Sequence, residues 1–508
     1  MNKIDLKTYQ SKRQNYFTLL VILFIGFFLF VLELGSTGLI DETPPLFAAA
    51  GRAMSETGDW LSPRVNGLSR FDKPPLIYWL MSLIYSLPFN QLWDPLGTWA
   101  ARLPSAISSI LMMLLIGDTI MRYPQKNDCH PCRSAVIGAL AFGLSPLMII
   151  WGRIAVSDAL LCSTFGASMI FFWRLYVSPN RSHFFYGWFF LGLAILTKGP
   201  VAIVLASFSL FLFGLVRKDF YSLFLKLRVF RGLLITFSVS FPWYVLQIIV
   251  EGKPFLDSFF GYHNFQRFTS VVNSHSEPWW FFFVIFVIAS IPFTPILFAT
   301  IYKFSCSFLK GVNIFSTRAS SSLIDFSLCW ILSIFILFTF SATKLPSYWL
   351  PAIPAAALLI GISPAYFEKE SKLFSFGLNI SILLSLILSA ILWFLPSWIY
   401  LIKDHEMPYL GFELINSQIW FIGALILSGC GLLGLLIKSR SKSFGLLIMQ
   451  LQLVLFPIFV MIPMFNLADK LRQLPLRNAA NLLLSSQRPN EPLVMIGQAK
   501  PSLHFYTN

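Results

Sequence analysis

Long apolar runs alternate with short polar connections from one end of the chain to the other. They lie near 16–34, 99–121, 134–151, 156–176, 184–197, 199–216, 229–250, 279–301, 323–341, 346–364, 373–396, 417–437 and 443–465, thirteen in all. About 20 apolar residues in a helix cross the hydrocarbon of a bilayer. Within that layer every backbone N–H and C=O needs a partner inside its own segment, so the pattern predicts helices. The first run has no small-residue cleavage site and reads as a retained span, not a removable leader. A fourteenth stretch, "PPLIYWLMSLIYSLPF" at 74–89, is short for a span. Counting it would reverse the sidedness of everything after it.

Charge decides that question. With the N-terminus (Lys3, Lys7, Lys12, Arg13) placed inside and 74–89 left out of the membrane, 22 of the 38 basic residues fall on the inner side, in short loops. The other 16 are spread over much longer outer segments. The excess of Lys and Arg in short inner loops favours thirteen spans, a cytoplasmic N-terminus, and 74–89 lying on the outer face as a juxtamembrane helix. The expected organisation is a transmembrane domain over 1–465 with large outer loops at 35–98 and 251–278. A short outer segment follows at 466–508, whose apolar run at 493–496 reads as one strand and which is small for a domain of its own.

Composition agrees: 56% of residues are hydrophobic and only 12% charged, against roughly 25% charged in soluble domains. The net charge of +15 would suggest nucleic acid in a soluble protein. Here the basic residues sit in loops at membrane edges, which points to lipid headgroups and to no nucleic-acid partner. The six cysteines form no disulfide framework, and "CHPC" (Cys129, Cys132) reads as a polar loop before a redox or zinc pair.

Chemistry gathers on the outer side. After the first span comes "LIDETPPLFAAAGRAMSETGDW", with Asp41 and Glu42 adjacent. Carboxylates at that depth are costly. Thr43 can cap a helix with Pro44 in its first position; Leu46, Ala49, Ala50, Ala53 and Met54 recur at helical spacing and Gly58 ends the segment. A helix N-terminus keeps a neighbouring carboxylate ionised, and an ionised carboxylate can act as a base. That both acids only solvate the loop remains open at this point. The same side carries "RFDKPP" (Arg70, Asp72, Lys73), "GRIAVSD" (Arg153, Asp158), "LTKGP" (Lys198), "YHNFQRF" (His263, Arg267) and "TKLPSY" (Lys344, Tyr348). One cation at a span end can be an interface anchor. Five cationic elements beside an acid pair fit a grip on phosphate near headgroup level. There is no phosphate-binding G-x-x-x-x-G-K-[ST] loop and no metal motif; His263, His275 and Glu277 read as loop residues. An outward-facing phosphate site needs a donor already in the membrane, which points to a lipid-linked phosphate.

These stretches, taken in order with "ARLPSAISS" and "KLPSYWLPAIPA", resemble the aminoarabinose transferase and protein O-mannosyltransferase superfamily, membrane glycosyltransferases of the GT-C fold. The likeness covers roughly residues 15–365 and is strongest to the bacterial aminoarabinose-transferase-like branch. It implies an all-α polytopic enzyme of the bacterial plasma membrane with about 13 transmembrane helices and an extracytoplasmic active site. It implies a polyprenyl-phosphate sugar donor, a lipid, glycan or protein acceptor, inversion at the anomeric carbon, no cofactor and no metal, and a cell-envelope role such as lipid A modification. By the same likeness Asp41 matches the catalytic acid, with Glu42 beside it and Asp158 an acid opening the fourth span. Lys73 matches the lysine near the lipid phosphate, within the element that also holds Arg70. Lys198, His263, Arg267, Lys344 and Tyr348 match positions facing the donor. One departure stands out: the family continues its acid pair as in "DEARYA", whereas this chain reads "DETPPLFA". Two polar neighbours of the acids are replaced by Pro44 and Pro45, which leaves sugar and acceptor open. Alternatives are a protein O-mannosyltransferase or polysaccharide ligase on the same fold, and a secondary transporter. A transporter should carry its charges near the bilayer midplane in repeated halves.

Overall fold

The computed structural model describes residues 3–126, 128–271, 277–309, 319–367, 371–402, 404–486, 488, 491, 493–497 and 499–507. His275, and the loop cations Lys310, Arg318 and Lys369 that entered the charge count, lie outside them. Among the described residues nine helices are long and apolar enough to cross a membrane. A tenth span forms if Phe281–Ala289 and Thr294–Cys306, bent by 113° at their junction, are taken together. The other three of the thirteen expected runs also fold as helices, but shorter or broken ones. Pro131–Gly143 stops before Pro146–Trp151, because Pro146 has no N–H to continue the ladder. Arg181–Lys198 and Val201–Arg217 have 18 and 17 residues. They are separated by Gly199 (φ +94°) and Pro200, a turn that places Lys198 at the very end of its helix. A side chain at Gly199 would meet the Phe259 ring at 2.9 Å.

The long loop expected at 35–98 is folded. Thr43–Thr57 and Leu76–Tyr85 are short helices packed together, with a hairpin of Arg64–Val65 and Leu68–Ser69 between them. Asn66 and Gly67, both at positive φ, make its turn, as Asn-Gly does in two-residue hairpins. The two helices approach closely at Gly51, where a Cβ would stand 2.9 Å from that of Met81, and the Ser82 hydroxyl donates to Gly51 O at 2.7 Å. Leu76–Tyr85, ten residues long, is the short helix expected at 74–89. Glu251, at the start of the second outer loop, accepts from Arg64 (3.1 Å) and Ser69 (2.9 Å) and so ties the two loops together.

The C-terminal region departs from expectation. Helical structure runs without a gap from Lys442 to Ser486, straight through residue 465, with widened turns at Pro457–Met461 and Asp469–Gln473. The apolar run at 493–496 joins no strand. Pro501–Thr507 is a helix instead, and its Phe505 is buried in the apolar cluster beneath the two outer helices, with Phe47 and Tyr78.

Candidate active site

The chain leaves its first helix at Phe30 and reaches Thr43 with no helix or strand that could satisfy its backbone. Two arginines do part of that work. Arg153 donates to Leu29 O (3.0 Å) and Leu32 O (2.7 Å), and Arg102 to Leu34 O (2.7 Å), Thr37 O (2.9 Å) and Gly38 O (2.6 Å). These are the free carbonyls at and beyond a helix C-terminus. Arg153, one of the five cationic elements in the sequence, therefore serves the first helix and does not face the site.

Asp41 follows, half-buried. Its Oδ1 accepts from Ser502 N–H and its Oδ2 from the Ser502 hydroxyl, both at 2.7 Å. Glu42 is exposed and occupies the capping position of Thr43–Thr57, with no side-chain capping bond. The cap is thus Glu42, not Thr43 as the spacing suggested, and Pro44 sits one place further in.

Arg70 emerges from the hairpin and meets Asp72 at 2.6 Å; Tyr78 donates to the other oxygen of Asp72 at 3.1 Å and accepts from Arg70 Nε at 3.2 Å. The charges of Lys73 and Arg70 hold Asp72 below the usual carboxylate range, although burial alone would raise it. Lys73 donates to Asp72 O at 2.8 Å. Burial, helped by the charges of Lys198 and Arg267 and opposed by Asp72, brings its ammonium down to about 8. Asp158, at the start of Asp158–Val177, pairs with Lys198 at 2.6 Å. Lys198 Nζ stands 5.3 Å from the centre of the Tyr348 ring. His263 and Arg267 come from the widened helix Leu256–Gln266 and the turn after it. Burial, then the charge of Lys73, lowers His263 to about 4, so its ring is neutral near pH 7. His263 Nδ1 and Arg267 Nε are buried with no hydrogen-bond partner.

These residues enclose one cavity of about 790 Å³. Asp41, Glu42, Arg70, Lys73, Asp158, Lys198, His263, Arg267 and Tyr348 all line it, so nine candidates scattered over 300 residues of sequence meet at one place. A recess of about 90 Å³ extends it between Asp72, Lys73, Lys198, His263, Arg267, Ser347 and Tyr348. Lys344 is not among the lining residues; its neighbour Leu345 is. Sequence reasoning missed Ser347, although it lies inside the quoted "TKLPSY", and Arg102, inside "ARLPSAISS". It also missed Ser502, for which no local signal exists. Cations concentrated in one half-buried cavity repel one another, and an anion bearing several oxygen acceptors relieves that repulsion while satisfying the orphaned nitrogens.

Comparison with known proteins places this geometry. A family model described as dolichyl-phosphate-mannose-protein mannosyltransferase matches residues 72–243. Another, the C-terminal domain of cyanobacterial RgtA-type glycosyltransferase, matches residues 486–508. An uncharacterised protein of Aquifex aeolicus is 29% identical over 79% of this chain and 85% of its own length. The undecaprenyl phosphate-alpha-4-amino-4-deoxy-L-arabinose arabinosyl transferase of Pseudomonas aeruginosa is 27% identical over 69% of this chain, which covers 60% of that enzyme. In structure, ArnT from Cupriavidus metallidurans bound to undecaprenyl phosphate matches with a TM-score of 0.78 at 22% identity, covering 97% of this chain and 84% of ArnT, which shows a common fold. The chain is a multi-pass membrane protein of the GT-C fold whose sequence resembles the aminoarabinose-transferase-like membrane glycosyltransferases.

Proposed function

We propose that this cavity moves a sugar from a polyprenyl-phosphate donor to an acceptor at the extracytoplasmic face of the bacterial inner membrane. Lys73 and Arg267 grip the phosphate and Asp41 works on the acceptor side. The observation that carries this reading is the imbalance of the recess. Lys73 and Arg267 form no ion pair among the described residues, and His263 Nδ1 and Arg267 Nε are buried without partners. A phosphate supplies charge and acceptor oxygens at once. Lys198, oriented by Asp158, and Tyr348 complete the lining; the pairing assigns Asp158 to Lys198, away from Asp41.

In the reaction the bond from the anomeric carbon to the phosphate oxygen breaks and its electron pair leaves with the polyprenyl phosphate. The acceptor oxygen bonds to the opposite face of the same carbon, which inverts it, and the acceptor proton passes to Asp41. The lysines and arginine stabilise charge that grows on the leaving phosphate in the transition state. Asp41 has about four lone-pair sites, of which Ser502 occupies two, so it can still receive an acceptor hydrogen. Glu42, exposed at the cavity rim, is placed to touch sugar or acceptor. The acceptor is a hydroxyl or phosphate of a lipid, glycan or protein, and residues 466–508, which begin as a continuation of the last long helix, lie on the outer side. A transporter is poorly served by this layout, because the unmatched charges lie at one end of the helices.

Asp41→Asn should lower transfer by about a thousandfold or more while undecaprenyl phosphate, titrated onto the purified protein, still binds. Arg267→Ala should weaken that binding at least tenfold, roughly the worth of a charge-assisted contact. Unchanged affinity in Arg267→Ala would remove the phosphate grip.

A further inference from the structure

We infer that Ser502, in the C-terminal segment, is a positioning residue that fixes the carboxylate of Asp41 for the reaction; this rests on the reading of Asp41 given above. The stretch leading to Asp41 carries no regular structure, so its backbone donors need partners from elsewhere. The far end of the chain provides them in sequence. Gly38 N–H donates to Asp469 Oδ1 at 2.6 Å and Leu39 N–H to the Tyr506 hydroxyl at 2.8 Å. Ser502, 461 residues from Asp41, then takes one oxygen of the carboxylate with its N–H and the other with its hydroxyl, both at 2.7 Å.

The anchor is itself rigid. Ser502 is fully buried. Phe505 of the same helix is buried beneath Arg52, whose guanidinium lies 4.0 Å from the ring centre and donates to Phe505 O at 3.1 Å. A carboxylate torsion is broad and nearly two-fold when nothing holds it. Bonds to both oxygens from one buried residue remove that freedom and leave the remaining lone pairs with a fixed direction. Near-attack geometry is where such fixing counts, because misplacement by about 1 Å lowers rates by orders of magnitude.

The test measures transfer kinetics with a polyprenyl-phosphate sugar on full-length protein carrying Ser502→Ala, Ser502→Thr or Asp41→Asn, with undecaprenyl phosphate affinity measured alongside. Ser502→Ala keeps the N–H bond and loses the hydroxyl bond. It should lower kcat about tenfold with donor KM and undecaprenyl phosphate affinity unchanged, and Ser502→Thr should restore most of the rate. Parental kcat in Ser502→Ala overturns the inference. So does a loss that Thr fails to rescue, or one matched by weaker undecaprenyl phosphate binding, since either marks a merely structural residue. Asp41→Asn separates the two readings: activity retained there removes Asp41 itself, whereas inactive Asp41→Asn beside a silent Ser502→Ala removes only the positioning role.

Discussion

Asp158 and Arg174 stand near opposite ends of one helix, Asp158–Val177, whose 20 residues rise about 30 Å, the depth of a bilayer core. At the Arg174 end, buried charge is closed. Arg174 meets Asp118 at 2.8 Å, and nearby Arg217 meets Asp325 at 2.7 Å with side chains 3% and 4% exposed. At the Asp158 end, Lys198 is matched by Asp158 and Arg70 by Asp72, but Lys73 and Arg267 have no such partner among the described residues. The same residue types thus do two jobs. Where a buried cation faces a carboxylate the pair joins helices, although Arg174 Nε, like Arg267 Nε, has no hydrogen-bond partner and Arg174 shares Asp118 with Arg122. In the recess three cations, Lys73, Lys198 and Arg267, face one lining carboxylate, Asp72, and an incoming anion relieves the repulsion among them.

The largest test of this contrast is to remove the unmatched charge. Lys73→Ala combined with Arg267→Ala should reduce donor-dependent transfer by about a thousandfold or more, two charge-assisted grips being lost together. Thermal stability should hold or rise, because repulsion is lost and no pair is broken. A fall in stability as large as that seen on breaking an ion pair would mean the two ends are built alike.

Breaking a closed pair should do the reverse. Arg217→Leu strands Asp325 in an apolar setting and should cost about 3–5 kcal/mol, read as a lower unfolding midpoint, with transfer per folded molecule near the parent value. Adding Asp325→Leu should recover most of the loss, because a well-packed apolar pair replaces the ionic one. Failure of the double variant to recover would show that Asp325 has a further role.

A smaller effect comes from pH. In the free protein Lys73 titrates near 8, and a phosphate beside its ammonium raises that value. Undecaprenyl phosphate affinity should therefore be greatest between about pH 6, where the phosphate monoester takes its second charge, and about pH 8, and should fall by up to tenfold per unit above that until the pKa of the bound state is reached. Lys73→Arg keeps its charge throughout and should flatten this limb. An identical slope in Lys73→Arg would assign the titration to another group.

Much of this architecture was legible in the sequence because it depends on local properties. An apolar run long enough to cross the membrane is helical wherever it lies, and the asymmetry of Lys and Arg among loops needs no contacts to be read. The meeting of Asp41, Lys73, Lys198 and Arg267 in one cavity was expected from the shared side to which charge assigned their loops. Sequence could not show which outer cations turn inward. Arg153 is as close to the site in sequence as Asp158 is, yet it spends its donors on carbonyls of the first helix. Nor could it show the kink between Ala289 and Thr294 or the docking of Ser502, both outcomes of packing between distant segments.

Lys344 gives the smallest and most discriminating test of that limit. Family likeness puts it with the donor-facing residues, and its charge would add to the excess at this end. In the fold it is half-buried but outside the cavity lining, while Ser347 and Tyr348 of the same turn face the cavity. A charge beyond the lining acts on the phosphate only through screened, longer-range attraction, about 1 kcal/mol at most and less at high salt. Lys344→Ala should therefore weaken undecaprenyl phosphate binding by no more than about fivefold, with the difference shrinking as salt is raised. A salt-insensitive loss as large as that of Arg267→Ala would place Lys344 in direct contact with the phosphate and extend the unmatched set to a third cation.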